Sequence, residues 1–137
     1  MAAAGIEPVV ADPAAIATVL EQVADVTLVF WLLGSASGDP RAVEAIHGSA
    51  LERLMEELVD TPVRGVVYES SGTVAPRRLG RGSAIVEEAA ERWRIRAALI
   101  RADPADWRAW LGETLAAAER LTGGRTDVAP ATGSASA

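Results

Sequence analysis

The chain has 137 residues, half of them hydrophobic, with no cysteine and a net charge of −6. That length suits one globular domain. The composition excludes disulfides, thiolate metal sites and cysteine nucleophiles, and its acidity argues against nucleic-acid binding by phosphate neutralisation.

The opening Met1-Ala2-Ala3-Ala4-Gly5 has no basic region leading into a long apolar stretch, so no secretory signal is expected. "PVVA" at 8–11 reads as a short strand. Asp12-Pro13 then has the chemistry of a helix start, an aspartate to cap and a proline at the first helical position. Ile16, Val19, Leu20 and Val23 follow at helical spacing. "VTLVFWLL" at 26–33 is apolar on both faces, as expected of a central strand in a parallel sheet. It is the longest apolar run, and far short of the ~20 residues that span a bilayer. No membrane association is expected, and a cytoplasmic location is.

Asp39-Pro40 opens a second helix, with Val43, Ile46, Ala50, Leu51, Leu54 and Leu58 on its stripe. "VRGVVYE" at 63–69 reads as a strand. A helix is expected from about Gly82 to Trp93, and "IRAALI" at 95–100, alternating with arginines, reads as an edge strand. After Asp103-Pro104, Trp107, Trp110, Leu111, Leu115, Ala118 and Leu121 mark a last helix closed by Gly123-Gly124. From residue 125 the chain is small and polar without period, which reads as a disordered tail after a 1–124 domain. The order β-α-β-α-β-α-β-α predicts an α/β fold of two or three layers, about four parallel strands alternating with four helices.

From about Gly5 to Asp106 the chain resembles the later part of the Rossmann domain of short-chain dehydrogenases, in particular their extended and atypical epimerase-like or NmrA-like members. "GIEPVVADPAAIATVLEQVADVTLVFWLLG" is similar to the family's third strand, the helix after it and strand four. "VVYESSGTV" resembles the fifth strand with its paired serines, and "AAERWRIRAALIRADP" the next helix and sixth strand. The resemblance implies an incomplete Rossmann-like fold and NAD or NADP as cofactor. It also implies cofactor contacts at Asp12, Leu33, Gly34, Ser35, Gly38 and Ser70. The family's glycine-rich pyrophosphate turn has no counterpart, as though the chain began where the second helix of such a domain ends. Its Tyr-x-x-x-Lys pair would fall near Leu79 and Ser83, and neither residue fits. The chain contains no lysine at all, and its one tyrosine, Tyr68, lies within a strand. Weak or absent cofactor binding by this chain alone is therefore expected. The implied function is that of a non-catalytic or truncated oxidoreductase- or epimerase-like protein. The alternatives are a partner-dependent oxidoreductase or epimerase subunit and a protein interaction module without cofactor.

Other residues leave alternatives open. Asp12 fits either an adenine contact or an N-cap. Gly34 and Gly38 in "LLGSASGDP" permit close backbone approach, or a plain βα turn; the segment is not a nucleophile elbow, because Ala36 stands where serine is needed. Ser70 and Ser71 can orient a substrate but have no base. His47, the single histidine, falls on the Val43–Ala50 apolar stripe, the place of a packed side chain as much as of a general base. Arg77, Arg78 and Arg81, ahead of Gly82 and Ser83 at the expected helix start, could hold an anion or stand solvated on a loop. "GRGSAI" only partly matches a dinucleotide fingerprint. No metal site is expected.

Handedness adds an expectation about association. If strands advance one way, the connecting helices share one face, and the last helix alone shields roughly two strands of four on the other. The uncovered remainder would favour a homodimer or a larger partner. A flavodoxin-like order 2-1-3-4 would cover both faces and need no partner.

Overall fold

The computed structural model describes residues 12–21 and 28–122. The expected strand at 8–11 and the tail from 125 lie outside the described residues. Within them the elements run α1 (Ile16–Leu20), β1 (Leu28–Trp31), α2 (Pro40–Ile46), α3 (Ser49–Leu58), β2 (Gly65–Glu69), α4 (Pro76–Trp93), β3 (Arg96–Ile100) and α5 (Trp107–Thr122). The strands form a three-stranded parallel sheet in the order β1-β2-β3. Leu28 pairs with Gly65, and Gly65 with Arg96. Direct β1–β2 pairing rules out the flavodoxin-like order, which would place the 8–11 strand between them.

β2 is central among the described strands, and all five of its residues are buried. The 26–33 run supplies β1, which pairs with β2 among the described strands; the 8–11 strand expected before it lies outside them. Phe30 of β1 is 40% exposed. In β3, Arg96 is exposed, Ala98 and Ile100 are buried, and Ala97 and Leu99 are half-buried.

The main core lies on one face. Val29, Trp31, Val66 and Tyr68 project there against Ile16 of α1, Leu51, Leu54, Met55 and Leu58 of α3, and Val86 and Ala89 of α4. α5 lies on the other face, where Ala117 and Leu121 meet Val67, Ala98 and Ile100. This is the distribution that right-handed crossovers require. The stripe that α5 turns to the sheet differs from the expected one: Thr114, Ala117 and Leu121 are buried, whereas Trp107, Leu111 and Leu115 are 60, 40 and 57% exposed. Small side chains at 114 and 117 let the helix lie close to the strands. Two polar attachments fix its rotation. Glu113 accepts the backbone N–H groups of Arg101 and Ala102, and Arg96 donates to the terminal carbonyls of Arg120 and Leu121.

Several helix boundaries depart from expectation. The Asp-Pro pairs at 12 and 103 build turns ahead of their helices: each Oδ1 accepts the N–H two residues on, from Ala14 and Ala105. The cap of α5 is Asp106, whose Oδ1 and carbonyl accept from Ala109 and Trp110. At 39–40, Pro40 does open α2, but Asp39 makes no side-chain cap bond. The helix after Pro40 breaks at His47-Gly48, because the His47 side chain is drawn down to the sheet. Finally α4 begins at Pro76, six residues before Gly82. Two weak helix formers, Gly80 and Gly82, suggest a loop there at about 1 kcal/mol each. Packing overrides them, since a Cβ on Gly82 would collide with the Tyr68 hydroxyl.

Candidate functional site at the carboxyl end of the sheet

The loops that leave β1 and β2 interlock. Gly34 is buried, and the place of its absent Cβ is filled by the Ser71 carbonyl. Gly72, at φ +134°, holds the reciprocal position against the Gly34 carbonyl. Val74 N–H donates to Gly34 O at 2.9 Å, and Thr73 N–H to Ser35 Oγ at 3.2 Å. Beneath them lies Glu69, 5% exposed. Its Oε1 accepts Gly34 N–H at 2.9 Å and its Oε2 accepts the Trp110 indole N–H at 2.7 Å. One carboxylate therefore joins the β1 loop, β2 and α5, and charge-assisted bonds offset the cost of burying it.

On the opposite face, His47 and Tyr68 form a buried pair, 1 and 0% exposed. The imidazole Nε2–H donates to Leu33 O at 2.9 Å, which leaves Nδ1 to accept the Tyr68 hydroxyl at 2.5 Å. Burial lowers the His47 pKa; the nearby Arg78 guanidinium adds to this, while the Leu33 carbonyl and Glu69 oppose it. Burial, seconded by Glu69, raises the Tyr68 pKa. The pair is thus neutral, with both ring nitrogens in use. Trp31 adds an indole bond to Ile46 O at 2.8 Å, so β1 and the segment after it hold the end of α2 at two points.

Between the ends of β2 and β3 and the first turns of α4 runs an open cleft of about 480 Å3. Ser70, Ser71, Gly72, Leu79, Ser83, Arg101 and Asp103 are among its lining residues. The Ser70 and Ser71 hydroxyls donate to the carbonyls of Ile100 and Ala102 at 3.0 and 2.5 Å, and Ser83 to Leu79 O at 3.0 Å. Each serine keeps its lone pairs for a ligand's donors. Arg101, exposed, makes one loose ion pair with Glu87 at 3.9 Å.

The structure brings Leu33, Gly34, Ser35, Ser70 and Ser71 together, and it places His47 behind the Leu33 carbonyl. No serine reaches His47, so the arrangement is no Ser-His-Asp triad. Gly38, at φ +124° with open space around it, serves the turn into α2. Asp12 is engaged locally with Ala14. The expected anion loop is replaced by helix. Arg77 is exposed in the first turn of α4, Arg78 has a buried Nε without a hydrogen-bond partner, and Arg81 meets Glu52 at 3.9 Å. Gly82 and Ser83 stand in mid-helix, so "GRGSAI" is no phosphate turn. The sequence pattern alone assigned no site role to Glu69, Trp110, Arg101 or Asp103. Glu69 had a signal: an acid ending a strand of buried β-branched residues needs buried donors.

Among the described residues, no cluster of three or more His, Asp or Glu could hold a metal ion, and no helix is long and apolar enough to cross a membrane. No family model, curated protein or solved structure matches the chain.

Proposed function

We propose that the chain is an NAD(P)-binding-type Rossmann-fold protein, non-catalytic on its own. Its described strands and helices correspond to those that follow the pyrophosphate turn in a dinucleotide-binding domain. One observation carries this reading. The parallel strands advance β1-β2-β3 with their connecting helices on one face, and polar groups converge at the carboxyl ends, where open α/β sheets bind ligands. The non-catalytic part is supported by Tyr68, whose hydroxyl is buried on His47 and shifted away from proton transfer. It is supported also by Ser70 and Ser71, whose hydroxyls donate to the backbone carbonyls of Ile100 and Ala102.

Titration with NADH and NADPH, followed by amide NMR, tests it. Losing about three pyrophosphate hydrogen bonds costs ~3 kcal/mol, about a hundredfold in affinity. Shifts at Gly34, Ser70 and Ser71 with dissociation constants weaker than ~100 µM are expected. No shift at millimolar cofactor overturns the dinucleotide reading, and low-micromolar binding overturns the loss of the pyrophosphate contacts. Turnover seen only with a glycine-rich partner chain would favour a partner-dependent oxidoreductase or epimerase subunit instead.

A further inference from the structure

We infer that the chain associates with a second copy of itself through α5, antiparallel across a two-fold axis, with Phe30 of each chain meeting beneath the helix pair. This does not rest on the cofactor reading.

Trp107, Leu111 and Leu115, four residues apart, form one row along α5. The direction in which the row faces follows from its neighbours. Going round the helix, Glu113 bonds at the end of β3 and Trp110 at the end of β2. The row comes next, on the side of β1. There Phe30, between Leu28 and Leu32 of the α5-side core, points up from the same face. Helix flank and strand thus make one corner-shaped apolar surface. The exposed fractions of these four residues amount to roughly 400 Å2. That is about half of what each partner contributes to a stable interface, and it suits the apolar centre of one with a polar rim.

The charges select the occupant. Arg108 and Glu119 lie on the same outer flank of the row and are both exposed. Each side chain stands free of the ion pairs found between described residues. In an antiparallel helix pair, residues of the same flank face one another. An axis crossing α5 near Glu113 and Thr114 is equidistant from positions 108 and 119. It therefore sets Arg108 of each chain opposite Glu119 of the other, twice over. Gly112, with open space around it, leaves room on that flank. An isologous interface needs such self-complementarity; a foreign partner does not.

Sedimentation equilibrium of the full chain tests this. The wild type should be mainly dimeric at about 50 µM. Leu111→Glu should weaken association at least ~100-fold with an unchanged circular-dichroism spectrum. Arg108→Glu and Glu119→Arg should each weaken it about tenfold, and a 1:1 mixture of the two should recover it, because each then supplies the other's missing partner. A well-folded wild-type monomer at about 100 µM overturns the inference. So does a dimer indifferent to Leu111→Glu, or a mixture no tighter than its components.

Discussion

The two faces of the sheet are built on different terms. On the α3–α4 face, Leu51, Leu54, Met55, Tyr68 and Val86 are completely enclosed, and His47 and Tyr68 satisfy each other inside that core. On the α5 face, one helix rests on Thr114, Ala117 and Leu121 and is held by Glu69, Glu113 and Arg96, while Trp107, Leu111 and Leu115 stand outside. One face is held chiefly by packing. The other depends more on polar attachment, and leaves apolar surface to spare.

The largest test of that contrast is a pair of truncations. Leu54→Ala should cost ~2–5 kcal/mol by leaving a cavity, whereas Leu115→Ala should cost within ~0.5 kcal/mol. Urea unfolding at submicromolar protein, where association does not contribute, measures both; equal losses would erase the distinction. Next, Gly82→Ala should destabilise by ~1–3 kcal/mol, because its methyl meets the Tyr68 hydroxyl. The same change in a Tyr68→Phe background should cost less, and an undiminished cost would mean that the clash lies elsewhere.

The buried pair also predicts a pH dependence. The His47 pKa is lowered in the folded state relative to 6.5, so below 6.5 the unfolded chain takes up its proton first. Its contribution is complete above 6.5 and is lost as pH falls from there towards the folded value. Unfolding midpoints between about pH 8 and pH 5 should show this decline, and His47→Gln should flatten it. The smallest effect is a gain. Arg94 ends α4 in the left-handed region at φ 59°, and Arg94→Gly should stabilise by ~0.5–1 kcal/mol in thermal melts.

Much of this fold could be read from residue pattern. The apolar run of β1, the β-branched residues of β2 and the alternation of β3 announced three parallel strands, and handedness placed α5 alone on its face. What escaped was set by tertiary contact. Gly80 and Gly82 look like a loop until Tyr68 explains the need for a glycine. The 107-111-115 row looks like the buried side of α5 until Trp110 finds Glu69 and turns the helix. The site was legible in part for a similar reason. Loop glycines and serines have recognisable types, but whether a serine meets a base or a carbonyl depends on distances between strands. His47 illustrates the point: its place on an apolar stripe foretold burial, and nothing local foretold Tyr68.

The order β1-β2-β3 also bears on how the chain reaches this state. Each described strand pairs with its neighbour in sequence, so every closure among them spans one crossover. α5 is different, because its anchors belong to strands that must already be aligned: Glu69 from β2, Arg96 and the end of β3. Docking of α5 is therefore expected as the closing event of folding, and Trp110 carries its fluorescent signal.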